Sequence, residues 1–257
     1  MSDWNPELYL KFKNERTQPA HDLISRIDMR YPQRILDIGC GPGNSSHLLK
    51  GRWFSAEVLG LDSSEAMIER AIKEHRNVNF VLADATGDIS RFGMFDIVFS
   101  NAAMQWMPSI EKLLPFYFKM LNPGGIMAMQ IPNPSSMHIQ TAIDRVASSD
   151  RWKNYFLQFQ NGLYLYEPGF YYDILRSLSK EANVWETHYH HVMPGHQAII
   201  DWYASTGMKP YLSLLSDDDK QAFSDDVLFI IKNDYKIQKN GSVLFPFRRI
   251  FFTLQKL

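Results

Sequence analysis

Five short apolar segments constrain this chain most. "RILDI" (Arg34 to Ile38), "EVLGL" (Glu57 to Leu61), "VNFVL" (Val78 to Leu82), "FDIVFS" (Phe95 to Ser100) and "GIMAMQI" (Gly125 to Ile131) are each of strand length and largely without polar alternation. Strands buried on both faces read this way, which requires a parallel sheet covered by helices. The stretches between them are helical. In "SSEAMIERAIKEH", Ala66, Met67, Ile68, Ala71 and Ile72 share one face, Ser63 or Ser64 serves as the cap, and Glu65 occupies the first turn. "LNPGG" (Leu121 to Gly125) reads as a helix stop turning into the fifth strand. A doubly wound α/β sheet is predicted.

The second half is less regular. Residues 132–168 are rich in aromatics, among them Trp152, Tyr155, Phe156, Phe159, Tyr164 and Tyr166, without strand alternation. "GFYYDILRSLSKEA" reads as a helix, "NVWETHYHHVM" as a strand, and His196 to Tyr235 as a helical excursion, within which Ser216 and Asp219 resemble a capping box. "SVLFPFRRIFFTLQ" closes the chain as a strand that is expected to start or bulge at Pro246.

The chemistry is concentrated at the end of the first strand, in "ILDIGCGPGN". Gly39, Gly41 and Gly43 make a turn that lets a ligand approach the backbone. The dinucleotide fingerprint wants its third glycine one place later, where Asn44 stands. Asp62, ending the second strand, suits both hydroxyls of a ribose. Asp37 puts an acid beside the turn, unfavourable for a pyrophosphate and favourable for an ammonium and a sulfonium. Asp84, after the third strand, would accept from an adenine amino group, and the Ala85 N–H would complete the base contact. Together these favour an adenosyl cofactor.

In their order along the chain, "LDIGCGPGN", "LGLDSS", "ADAT", "FDIVFSNAAMQW" and "LNPGG" resemble the class I S-adenosylmethionine-dependent methyltransferases. "DWNPELYLKFKNER", "NAAMQWMP" and "MPGHQAIIDWYASTGMKPYL" are similar to the trans-aconitate 2-methyltransferase family, so the likeness spans nearly the whole chain. Gly195 and Lys209 stand where members of that family carry Ser and Arg. The resemblance implies one domain over 1–257: a mostly parallel, seven-stranded, Rossmann-like sheet with a helical lid. The cover comes from 1–30 and from insertions at 132–168 and 194–240. It implies S-adenosylmethionine as cofactor, S-adenosylhomocysteine as product, and methylation of a carboxylate of trans-aconitate or a similar small polycarboxylic acid. Cofactor contacts are expected at Asp37, Gly39, Gly41, Gly43, Asp62, Ser63, Asp84, Ala85 and Asn101, with Trp4, Tyr9 and Arg16 in the cover. Gln105 and Trp106 would face the reacting end. His196, Lys209 and Arg249 are candidates for the carboxylates that do not react. An ionised carboxylate attacks unaided, so no general base is nominated.

The same residues admit other readings. A nicotinamide-dependent dehydrogenase is opposed by the glycine spacing and by Asp37; a methyltransferase of another small molecule and a cofactor-binding protein without activity are the remaining alternatives. Cys40 lies inside the turn with no base beside it and reads as a small packed residue. His188 and His190 face one way on their strand but lack a partner at ligand spacing, so no metal is expected. The 257 residues carry a formal net charge of -1, which gives no electrostatic footprint for nucleic acid. No apolar run approaches the roughly 20 residues that cross a bilayer, and the acidic, polar start is unlike a leader. With a single cysteine, a cytoplasmic location is expected.

Overall fold

The computed structural model describes residues 13–134 and 137–257, with side chains from Thr17 onward. Helix α1 (Lys13–Ser25) precedes the alternating part of the chain: β1 (Arg34–Ile38), α2 (Asn44–Arg52), β2 (Glu57–Asp62), α3 (Glu65–Glu74), β3 (Asn79–Leu82), β4 (Phe95–Asn101), α4 (Ile110–Lys119) and β5 (Leu121–Pro132). There follow α5 (His138–Ala147), α6 (Pro168–Leu178), β6 (Ala182–Met193), α7 (His196–Ala204), α8 (Lys209–Leu212), α9 (Asp217–Asp234) and β7 (Val243–Gln255). The seven strands lie in the order β3-β2-β1-β4-β5-β7-β6. The first five are parallel, and β7 runs antiparallel to both β5 and β6. The order reverses at β1, so the crossovers to β2 and β4 leave in opposite directions and open a crevice at the carboxyl ends of these strands.

Both faces of the sheet are covered over β1, β2, β4 and β5, as their apolar runs require, but β3 at the edge has no fully buried residue and leaves Leu82 48% exposed. One face joins Leu23 and Ile27 near α1, Leu49 of α2 and strand residues Ile35, Phe99 and Phe251. The other joins Leu36, Ile38 and Val98 with Leu114 and Tyr117 of α4 and Tyr171 and Leu175 of α6. A third cluster forms where α5, α7 and α9 close over the far ends of β6 and β7; it holds Ile143, Trp152, Trp202, Tyr203, Phe223, Phe245 and Phe247. Of the aromatics in 132–168, Trp152 is buried in this second layer and Phe156 and Phe159 pack against it, whereas Tyr155 is 47% exposed and Tyr166 packs against the cluster on the sheet. Period-two alternation along β7 puts Phe245, Phe247, Arg249 and Phe251 on one face. Arg249 thus falls between two apolar clusters, one containing Phe247 and the other Phe251.

Three local expectations change. "LNPGG" does end α4, but the extended strand already begins at Leu121 and its pairing with β4 shifts register between Phe95 and Ile97. Pro246 neither starts nor bulges β7; it pairs with His190 in unbroken register. There β7 has only β6 beside it, because its pairing with β5 stops at Arg249, so the missing N–H leaves no central ladder incomplete. On α3, Met67, Ile68 and Ala71 are buried as expected, but Ile72 is 53% exposed. Ser64 is the cap there, and Ser216 caps α9 by accepting from the Asp219 N–H.

Candidate cofactor and substrate site

The turn after β1 is built from left-handed backbone: φ is 67° at Gly39, 54° at Gly41 and 88° at Gly43. At Gly39 the reason is also steric, since a Cβ there would lie 2.2 Å from Cβ of Ala103. The loops after β1 and β4 are packed directly on each other. Gly41 differs, because a Cβ there would meet nothing within 4 Å among the described residues. Its backbone borders open space, as a ligand-facing turn requires.

Asp37 lies fully buried behind this turn. Its Oδ2 accepts from the hydroxyls of Ser45, at 2.7 Å, and Ser46, both in the first turn of α2. Its Oδ1 finds no hydrogen-bond partner among the described residues. Burial raises the carboxyl from 3.8 to about 7, against the lowering effect of the two serines. Buried side-chain oxygens without a partner among the described residues also occur at Asn44, Asn101 and Gln105. These belong to the turns and strand ends around the crevice. A set of acceptors suits a ligand bearing an ammonium and repels a phosphate.

Asp62 ties the turn to the next unit. Its Oδ2 accepts from the Gly41 N–H at 2.8 Å and its Oδ1 from the Ser64 N–H at 2.9 Å. Each carboxylate oxygen can accept more than one hydrogen bond, so this use is compatible with holding a ribose. Ser63 is exposed on the connection to α3. Asp84 is exposed, and its Oδ1 accepts from both N–H and Oγ1 of Thr86, which fixes the carboxylate. Ala85 is buried, with its carbonyl held by the Tyr117 hydroxyl at 2.9 Å. Cys40 packs beneath the turn, where a Cβ on Gly60 would meet its Sγ at 3.0 Å. Burial and the nearby Asp37 and Asp62 hold its thiol well above its ordinary range, which suppresses the nucleophilic thiolate.

On the other side of the crevice, the ends of β4 and β5 and the middle of β7 contribute a polar row. Asn101 pairs with Gln130 in register, and Pro132 pairs with Arg249. Nη1 of Arg249 donates to Oε1 of Gln130 at 3.2 Å. Gln130 is fully buried and Arg249 is 3% exposed, its guanidinium 4.5 Å from the Phe247 ring centre. Gln130 was absent from the sequence-based candidates. Its signal was a lone amide within the otherwise apolar "GIMAMQI", where both strand faces are buried.

The loop after β4 carries a second unusual feature. Ala102, not a glycine, has φ of 57°. Such backbone costs about 1–3 kcal/mol and persists where surrounding contacts impose it. Here the Ala102 N–H donates to the Gln130 carbonyl, and the Ala102 carbonyl accepts from Nε2 of Gln105 at 2.7 Å. The Gln105 carbonyl in turn accepts from the Tyr164 N–H at 2.8 Å. Gln105 and Trp106, in the short 3-10 turn Met104–Trp106, thus lie where the loop meets the irregular segment before α6.

The other candidates are placed differently. His196 starts α7, is buried in the outer layer, and has Nε2 at 2.7 Å from the Tyr235 carbonyl. Lys209 is half-buried at the start of α8. Gly195 has extended backbone and open space around a would-be Cβ, so the Ser of the resemblance would fit there. Arg16 lies in α1 with its side chain outside the described residues, as are Trp4 and Tyr9 altogether.

This fold and crevice define a class I S-adenosylmethionine-dependent methyltransferase. Residues 35–125 match a family model described as a methyltransferase domain. The chain is 37% identical over 257 residues, covering 100% of both chains, to a trans-aconitate 2-methyltransferase of Escherichia coli. It is 37% identical over 256 residues to the enzyme of that name from Shigella flexneri, covering 100% of this chain and 99% of the relative. The protein belongs to the trans-aconitate 2-methyltransferase family. Among solved structures, the YcgJ protein from Bacillus subtilis shares the fold with a TM-score of 0.60 at 16% identity, over 93% of this chain and 98% of that one. A phosphoethanolamine N-methyltransferase of Haemonchus contortus, solved with S-adenosylhomocysteine, gives 0.56 at 16% identity, over 93% of this chain and 53% of that one. No helix among the described residues is long and apolar enough to cross a membrane.

Proposed function

We propose that this enzyme transfers the methyl group of S-adenosylmethionine to a carboxylate of trans-aconitate or a similar small polycarboxylic acid, releasing a monomethyl ester and S-adenosylhomocysteine. The observation that carries the reading is Arg249, a buried cation in the middle of β7 where its pairing with β5 ends, in a chain related over its full length to enzymes named for that substrate. A buried guanidinium in an enzyme crevice is well suited to a carboxylate.

When bound, the cofactor supplies an electrophilic methyl group on a cationic sulfur. Asp62 holds its ribose, Asp84 and Ala85 its adenine, and Gly39, Gly41 and Gly43 shape the turn beside it, with Ser63 at the edge. Asn101 and the charge of Asp37 serve the amino-acid end. Trp4, Tyr9 and Arg16 belong to the cover over 1–30, and the segments 132–168 and 194–240 complete the lid of a single domain. Arg249 neutralises a carboxylate that does not react, with Lys209 as a further contact from the lid. Gln105 and Trp106 border the reacting end.

The substrate carboxylate is ionised near neutral pH and attacks without a base. Charge is partly cancelled as it approaches the sulfonium, so excluding water favours the step, and alignment of oxygen, methyl and sulfur contributes further. The single buried cysteine fits a cytoplasmic enzyme. The test is turnover with labelled S-adenosylmethionine over a panel of mono-, di- and tricarboxylic acids, with products identified by mass and by cleavage of the ester in base. Label in monomethyl esters of the polycarboxylic acids supports the reading. Label only in amines, phenols or thiols offered alongside overturns it.

A further inference from the structure

We infer that Gln130 is a specificity residue whose side-chain N–H donates to an oxygen of a substrate carboxylate while Arg249 holds the opposite end of the same amide. This rests on the proposed reading that the substrate is a polycarboxylic acid. Arg249 can only donate, so the Gln130 atom facing its Nη1 at 3.2 Å is the oxygen, and the NH₂ points the other way. That nitrogen is fully buried and has no acceptor among the described residues. The side chain lies on the polar row with Asn101 and Arg249, at the end of the sheet where ligands of this fold bind.

The choice of amide also follows from charge. A glutamate at 130 would form an ion pair with Arg249 and cancel its charge. Glutamine supports the guanidinium without adding a carboxylate to it, so the pair combines one positive group with one neutral donor. A carboxylate matches that combination. The Ala102 N–H, bonded to the Gln130 main-chain carbonyl at 3.0 Å, fixes the backbone from which the amide projects.

The test compares wild type with Gln130→Met, which removes the donor, and Gln130→Glu, which retains a partner for Arg249 and guards against a folding defect. Steady-state kinetics with trans-aconitate are measured together with S-adenosylhomocysteine affinity by calorimetry. The inference predicts that Gln130→Met raises KM roughly 10- to 100-fold, the range for a hydrogen bond to a charged group. Gln130→Glu should raise it further, with cofactor affinity within about two-fold of wild type in both. Wild-type KM in a folded Gln130→Glu enzyme overturns the inference. A parallel fall in cofactor affinity also overturns it, by assigning the amide to the cofactor. Wild-type turnover separates the two layers. An active wild type with unaffected variants removes Gln130 alone, whereas a wild type inert on every acid removes the proposed reaction and this inference with it.

Discussion

The carboxylate of Asp62 joins the amides of Gly41 and Ser64, at 2.8 and 2.9 Å, and so one side chain locks the glycine turn to the cap of the following helix. Asp62→Ala removes this lock together with the proposed ribose partner. Hydrogen bonds to a charged group contribute about 1.5–3 kcal/mol, so S-adenosylmethionine should bind more weakly by at least that amount. Calorimetric titration of the folded variant checks it; unchanged affinity would remove Asp62 from the cofactor site.

Two glycines in one turn should fail in different ways. Gly39→Ala sets a methyl group against Ala103 at 2.2 Å in left-handed backbone, so the loops after β1 and β4 must separate and stability should fall by more than about 2 kcal/mol. Gly41→Ala meets no atom of the described residues within 4 Å and bears only the strain of its positive φ, about 1–2 kcal/mol. Its methyl group points to the ligand side, so cofactor binding should be lost from a protein that still folds. Thermal unfolding with and without S-adenosylhomocysteine distinguishes the two; equal destabilisation of the unliganded proteins would contradict the geometry.

Asp37 makes the unliganded enzyme sensitive to pH. Its carboxyl is raised to about 7 in the folded chain, so between about pH 4 and 7 the folded state holds a proton that the unfolded state has released. Stability from this group is complete below pH 4 and falls as pH rises through 7, by an amount on the order of a few kcal/mol. Denaturant unfolding of wild type and Asp37→Asn at about pH 5 and pH 8 measures the slope, which the variant should lack. A cationic ligand nearby lowers the carboxyl again, so cofactor binding near pH 6.5 should release protons to buffer. Identical pH slopes in the two proteins would mean that Asp37 is ionised throughout.

How much of this was legible in the sequence depends on the range of the interactions. The apolar runs announced β1, β2, β4 and β5 because burial on both faces leaves a pattern within five or six residues; β3 was found at the right place but is an exposed edge strand. The glycine turn, Asp62 and Asp84 follow those strands directly, so their spacing alone put them at the strand ends. Pro246 was misread because its tolerance depends on where β5 stops pairing with β7, which no local pattern records. Gln130 was passed over for a related reason: its meaning comes from Arg249, 119 residues later in the chain and adjacent only through the β5–β7 pairing. His196 looked like a substrate contact within a long motif, yet Nε2 of its ring faces the Tyr235 carbonyl, a contact fixed by how α7 and α9 pack. Arg249 was selected as a charge in a terminal strand; its burial between two apolar clusters emerged only from the fold.

The central claim is that Arg249 pairs with a carboxylate that does not react, and the most direct measurement is the specificity constant of Arg249→Met for two acids. Methionine retains much of the apolar stem and removes the charge, so S-adenosylhomocysteine affinity, measured alongside, should be preserved. Leaving a substrate carboxylate unpaired in a closed site costs about 2–5 kcal/mol by analogy with truncated buried pairs. That loss is expected in kcat/KM for trans-aconitate, with a much smaller loss for a monocarboxylate analogue that lacks the second charge. Equal losses for the two acids, with cofactor binding intact, would contradict it and reduce Arg249 to a support for the sheet and its lid.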